Sequence, residues 1–105
     1  MSVKERDVEY ALVNAVRDAG GIAYKFSSPA RRNVPDRLID LPGAPLFFVE
    51  CKRPDEEPRK AQAREHARLR ARGKVVWIID TVDKAKTLVA SVVRTGDPSI
   101  WETPF

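Results

Sequence analysis

Leu46-Phe47-Phe48-Val49-Glu50-Cys51-Lys52 is the stretch on which the fold turns. A short apolar run that ends in charged residues reads as a buried strand. Side chains alternate faces along a strand, so Glu50 and Lys52 point one way and Cys51 the other. Upstream, Pro35-Asp36-Arg37-Leu38-Ile39 opens a further strand. Pro42-Gly43-Ala44-Pro45 between them is turn chemistry, which returns the second strand antiparallel to the first. Pairing of these strands brings Asp36 within reach of Glu50. Two carboxylates and a lysine around one point are the equipment for a hard divalent cation beside a nucleophilic water.

Working outward, Ile22 to Phe26 reads as a strand before the loop 27–34 with its Pro29, Arg31 and Arg32. N-terminal to it, Val8, Ala11, Leu12, Ala15, Val16 and Ala19 recur at helical spacing. Ser2 and Glu5 fit a capping box at the start of that helix, and Gly20-Gly21 supplies its stop. Glu9 sits about 100° round from Val8, at the edge of the apolar stripe. There it is equally a solvated helix glutamate and a carboxylate at the border of the core.

On the C-terminal side, Asp55-Glu56-Glu57-Pro58 marks a helix start, with proline at the first helical position and acids at the positive dipole end. That helix runs to Arg72 and closes at Gly73. Gln62, His66 and Leu69 share one face. Arg59, Lys60, Arg64, Arg68, Arg70, Arg72 and Lys74 face a single acid, Glu65. Such a basic excess is either a solvated face or a phosphate-facing one. Val75 to Ile79 is a continuous apolar strand. Asp80 or Thr81 caps a last helix whose core face is Val82, Ala85, Leu88, Val89, Val92 and Val93. Gly96-Asp97-Pro98 ends it and opens a tail, 96–105, with Ile100, Trp101 and Phe105. The expected order is α-β-β-β-α-β-α, an α/β fold with a mixed β-sheet flanked by helices in one domain, 1–105.

The bulk numbers agree with that size. With 105 residues and 43% hydrophobic content the chain can bury one modest core. Nineteen basic residues against fifteen acidic give a net +4, which favours an anionic partner such as nucleic acid. The lone cysteine excludes an internal disulfide framework and suits a reducing interior. No apolar run approaches the roughly 20 residues of a membrane span. Charges occupy the N-terminus where a signal peptide needs an apolar core, so a cytoplasmic protein is expected.

Phosphodiester hydrolysis needs charge neutralisation at the phosphate and an activated water. Asp36 and Glu50 are suitable ligands for Mg²⁺, and the backbone carbonyl of Cys51 between Glu50 and Lys52 adds a neutral third. Lys52 on the same face either orients or deprotonates the water, or stabilises the pentacovalent phosphate. Taken alone, Glu50 and Lys52 also read as a cross-strand surface ion pair. Cys51 reads as a buried structural thiol, and His66 as a core or rim histidine.

The ordered set Glu9, Val34-Pro35-Asp36-Arg37, Phe48-Val49-Glu50-Cys51-Lys52, Gln62, His66 and Gly73-Lys74-Val75-Val76 resembles the VRR-NUC domain. This is the virus-type replication-repair nuclease branch of the PD-(D/E)XK superfamily. The resemblance spans the chain from about residue 4 to about residue 90. It implies a restriction-endonuclease-like core and metal-dependent cleavage of DNA, with Mg²⁺ as the cofactor and Mn²⁺ as its substitute. It also implies metal binding by the residues matching Asp36 and Glu50, completed by Glu9, catalysis by Lys52 and support from Gln62. Stand-alone family members of this size occur in bacteriophages, which implies a phage or bacterial cytosol, and resemble Holliday-junction resolvases acting as homodimers. The expected function is therefore a structure-selective endonuclease cutting four-way junctions as a homodimer, with Lys25, Arg31, Arg32, Arg37, Arg53, Arg59 and Lys60 as DNA contacts. The alternatives are a general or flap-type nuclease and a catalytically silent DNA-binding module.

Overall fold

The structure is a computed structural model that describes residues 3–102. Its elements run α1 (Glu5–Asp18), β1 (Ile22–Lys25), β2 (Arg37–Asp40), β3 (Phe47–Cys51), α2 (Lys60–Ala71), β4 (Val76–Ile79) and α3 (Val82–Thr95). The four strands form one mixed sheet in the order β1-β2-β3-β4. β1/β2 and β2/β3 pair antiparallel, and β3/β4 pair parallel. Parallel neighbours need a crossover, and α2 provides it.

Two faces of this sheet have different fates. Phe47, Val49 and Cys51 of β3 point to one face and are fully buried with Ile39 and Ile79. Helices α1 and α3 cover that face with Val8, Leu12, Val16, Leu88 and Val92. Burying each large aliphatic or aromatic side chain there contributes about 1.5–3 kcal/mol, so this layer carries most of the hydrophobic stabilisation. Phe48, Glu50 and Lys52 point to the other face, which α2 covers on the β3 side through Gln62 and His66. The tight passage from α1 into β1 requires Gly21, where a Cβ would collide with the Asp40 carbonyl.

Three local expectations change. Helix α1 begins at Glu5 with Lys4 as the cap residue, because the Asp7 carboxylate accepts from the Lys4 N–H at 2.8 Å. Ser2 of the expected capping box lies outside the described residues. Helix α2 begins at Lys60, two residues after the expected Pro58: the Gln62 side chain closes the helix start by accepting from the Arg59 N–H at 3.0 Å. Asp55 instead takes a left-handed backbone (φ 64°), and its N–H donates to Asp80. In α3, Thr81 is the cap, its Oγ1 accepting from the Lys84 N–H at 3.0 Å, while Val93 faces solvent.

The tail returns to its own chain. Trp101 packs edge-on against Trp77, with ring centroids 5.3 Å apart. Ser91 Oγ donates to the Ile100 carbonyl and accepts from the Glu102 N–H at 2.8 Å. Phe105 lies outside the described residues. Among those described, no helix is long and apolar enough to cross a membrane.

Candidate active site

Strand register assembles the site. β2 and β3 pair with Arg37 opposite Val49, and one residue further along Asp36 stands opposite Glu50. Opposed residues of antiparallel strands share a face, so both carboxylates point to the α2 side. Pro35 is buried and fixes the approach to Asp36. The Cys51 N–H donates to Asp36 Oδ1 at 3.2 Å, which orients the carboxylate against the end of β3.

The first turn of α2 supplies the other half. Gln62 Oε1 accepts from Lys52 Nζ at 3.0 Å and from the Arg59 N–H, while Gln62 Nε2 donates to Glu50 Oε2 at 3.4 Å. One amide therefore starts the helix and holds both charged residues of the strand. Lys52 Nζ lies 3.5 Å from Glu50 Oε2 and 4.0 Å from Glu56 Oε1. Glu9 approaches from α1, and its carboxylate stands 3.8 Å from Arg37 Nε. Arg37 Nη1 also donates to the Ala23 carbonyl, while its buried Nε has no hydrogen-bond partner among the described residues.

The electrostatics are those of under-neutralised acid. Burial first, then the Glu50 charge and a hydrogen bond with the Glu9 carboxyl, push the Asp36 carboxyl up to about 8. Burial also raises Glu50, against the lowering effect of Lys52. Glu50 Oε1 is buried without a hydrogen-bond partner among the described residues. Such an oxygen costs about 1–3 kcal/mol unless something meets it. Both nitrogens of the fully buried His66 are likewise unpartnered, and its Nε2 stands 3.9 Å from that oxygen. Burial first, then the charges of Arg70 and Lys52, push His66 below the ordinary histidine value. The Cys51 thiol is pushed far above its ordinary range by burial and the carboxylates, and it faces the α1/α3 core.

This donor set fits a hard divalent cation. It presents oxygen only, carries excess negative charge, and leaves a buried carboxylate oxygen without a partner. Among the described residues, no three His, Cys, Asp or Glu side chains close on one point as a metal cluster. A set of two carboxylates and a carbonyl, completed by water, is what Mg²⁺ ordinarily accepts. Asp36 opens on a cleft of about 630 Å³ that also reaches Arg31, Arg32 and Arg59. Glu56, on the far side of Lys52, opens on a second cleft of about 830 Å³ with Lys4 and Arg53. Lys25 and Lys60 are exposed.

The geometry adds residues that spacing alone left aside. His66 stands one helical turn after Gln62, and that i, i+4 spacing was the signal that it shares the site. Glu65, the lone acid of the basic helix, holds Arg31 and Arg68.

No protein-family model matches the chain. A curated relative, "Putative nuclease p44" of Acyrthosiphon pisum secondary endosymbiont phage 1, is 52% identical over 88 residues, covering 84% of this chain and 95% of that protein. A solved structure described as a VRR_NUC domain superposes with a TM-score of 0.77 at 31% identity, covering 85% of this chain and 97% of that one. The chain belongs to the VRR-NUC family. Its mixed four-stranded sheet with flanking helices is the VRR-NUC nuclease fold, and nuclease is the class of activity that goes with it. The clustering of Asp36, Glu50, Lys52 and Gln62 in one VRR-NUC sheet end is the place to look for that activity.

Proposed function

We propose that this VRR-NUC protein is a divalent-metal-dependent DNA endonuclease that cuts four-way junctions as a homodimer. The observation that carries the proposal is the pairing of half-buried Asp36 with buried Glu50 beside Lys52, with Glu50 Oε1 left without a partner among the described residues. Asp36, Glu50 and the Cys51 carbonyl would hold the cation, with Glu9 at the margin. A bound Mg²⁺ or Mn²⁺ supplies charge neutralisation at the phosphate and lowers the pKa of water.

The chain's own residues do the rest. Gln62 and Glu50 fix Lys52 Nζ, so the ammonium meets the reacting phosphate without reorganising, which is the condition for electrostatic stabilisation of a developing charge. The Cys51 N–H keeps Asp36 turned toward Glu50. Arg37 holds Glu9 rather than DNA. Arg31, Arg32 and Arg59 line the cleft that opens on Asp36 and are assigned to backbone phosphates, with exposed Lys25, Arg53 and Lys60 as further contacts.

A junction has two strands to cut, related by near two-fold symmetry, and this chain offers one carboxylate centre. The tail through Glu102 packs on its own chain. The second copy is therefore assigned to the uncovered half of the α2-side face. There Ile22, Asp40 and Leu46 form one cross-strand row and Tyr24, Leu38 and Phe48 the next. Ile22, Tyr24 and Leu46 are all exposed. Incubation with Mg²⁺ or Mn²⁺ and labelled linear, flap and four-way DNA tests the substrate. Paired nicks in the junction are expected, and Lys52→Ala should lose them while still binding DNA. Equal cutting of linear and branched DNA would replace the junction with a general substrate, and no cutting of any DNA would remove the enzyme reading. Light scattering of wild type and Tyr24→Lys tests the dimer.

A further inference from the structure

We propose that Glu65 is a positioning residue that, itself anchored by Arg68, fixes Arg31 as a backbone-phosphate clamp beside the cleavage centre. The inference rests on the DNA-binding part of the reading above and names a site within it. Loop 27–34 carries Arg31, and helix α2 carries Arg68; nothing in the chain's local geometry makes them neighbours. Glu65 does so. Its carboxylate accepts from Arg31 Nε at 2.8 and 3.0 Å. It accepts from Arg68 Nε at 3.2 Å and from Arg68 Nη2 at 2.8 Å. These bonds, led by the one from Arg68, hold the Glu65 carboxyl down to about 2, so it stays ionised wherever DNA is bound.

Geometry of the guanidinium gives the clamp its use. Arg31 contributes only Nε to Glu65 and is 53% exposed, so its Nη edge remains turned to solvent. A guanidinium gripped on one edge presents the other as a fixed fork, the shape that matches phosphate oxygens. The same carboxylate lines a cavity of about 550 Å³ with Arg31, Arg32, Arg64 and Arg68. Arg31 and Arg32 also line the cleft that opens on Asp36. The clamp thus faces the strand at a phosphate displaced from the one being cut. A loop that must hold a left-handed residue, Asn33 at φ 66°, gains a tether to a helix from the same ion pair.

The test exploits a difference of sign. Removing a negative charge from a DNA-binding face should tighten binding if charge alone matters. If Glu65 positions arginines, Glu65→Gln should weaken binding of a short duplex several-fold. It should also lower the slope of log affinity against log salt by about 0.9, the share of one phosphate contact. Binding is measured in EDTA, so the result does not depend on cleavage. Arg31→Lys, at an exposed position, keeps the charge but not the fork. It should weaken binding several-fold, with a smaller loss of slope than Arg31→Ala, even if Glu65→Gln fails to fold. In the double variant Arg31→Ala/Glu65→Gln, binding should be no weaker than in Arg31→Ala alone. Unchanged or tighter binding by Glu65→Gln with an unchanged slope, or wild-type binding by Arg31→Lys, overturns the clamp. A wild type that cuts DNA while Glu65→Gln binds normally discards the clamp and keeps the nuclease. A wild type that binds DNA through the clamp without cutting it does the reverse.

Discussion

Glu50 and Glu65 are buried to nearly the same degree, 4% and 5% exposed, yet their surroundings drive them in opposite directions. Glu65 meets two guanidinium groups, and its carboxyl is held down to about 2. Glu50 is pushed up first of all by burial, against a single ammonium, Lys52, and it keeps an oxygen unpartnered among the described residues. Burial leads at Glu50, where one ammonium does not offset it, and is outweighed at Glu65, where two guanidinium groups donate to the carboxylate. A carboxylate closed by arginines is finished as a structural element. One buried beside another carboxylate is unfavourable in the bare protein and becomes favourable only when a further cation joins it. The same residue type thus serves architecture on α2 and chemistry on β3.

The widest separation of the two comes from Glu50→Gln. The substitution keeps shape and removes charge. Cleavage should fall by about a thousandfold or more, since loss of several kcal/mol of charge stabilisation is tenfold per 1.36 kcal/mol. The metal-free variant should nevertheless melt at or above the wild-type temperature, because an under-neutralised buried charge has gone. Gel assays and thermal melts in EDTA check both halves. A variant that is both active and destabilised would make Glu50 a structural ion-pair partner like Glu65.

Metal addition sharpens the contrast next. Mg²⁺ at about 100 times its dissociation constant should stabilise the wild type by about 2.7 kcal/mol, and chelation should reverse this. Glu50→Gln should lose that response, while Glu65→Gln should keep it. A response equal in all three proteins would place the cation away from Glu50.

Third comes the stability of the arginine-held acid. Glu65→Gln should lower stability by about 1 kcal/mol, modest because the pair with Arg31 is partly solvated. For a domain of this size that is about 4–8 °C in Tm. The sign is opposite to that for Glu50→Gln, and a melt at or above wild type would erase the distinction between the two acids.

How much of this was legible in the sequence follows from which rules act locally. Strand parity and the Pro42-Gly43-Ala44-Pro45 turn placed Glu50, Lys52 and Asp36 on one face, because a period of two leaves no freedom once a run is a strand. The proline and dipole rules put the start of α2 at Pro58, and a long-range tie moves it to Lys60. Gln62, bonded to Lys52, decides where the helix begins. Periodicity puts Val93 on the core face, yet Val92 takes the last buried position of α3 and Val93, about 100° further round, is turned to solvent. Glu65 read as a lone charge because its partner Arg31 lies in a loop, and loops carry no period from which a contact can be read.

The smallest effect is the most specific one. In the unfolded chain Glu65 titrates near its ordinary 4.5, and in the folded chain near 2. As pH falls through that window the unfolded state takes up a proton that the folded state refuses, so stability must fall with falling pH. The contribution is complete above the unfolded value and gone below the folded one. Other acids also titrate here, so the wild-type curve alone does not isolate Glu65; the difference from Glu65→Gln does. Urea unfolding of both proteins between about pH 5 and pH 2 should show two curves that converge as the pH falls. Added salt should narrow the starting gap, because Arg31 is half in solvent and its pairing is screened. A gap that stays constant with pH would mean that Glu65→Gln acts through packing, and that the arginines on either side of the carboxylate are not what holds it.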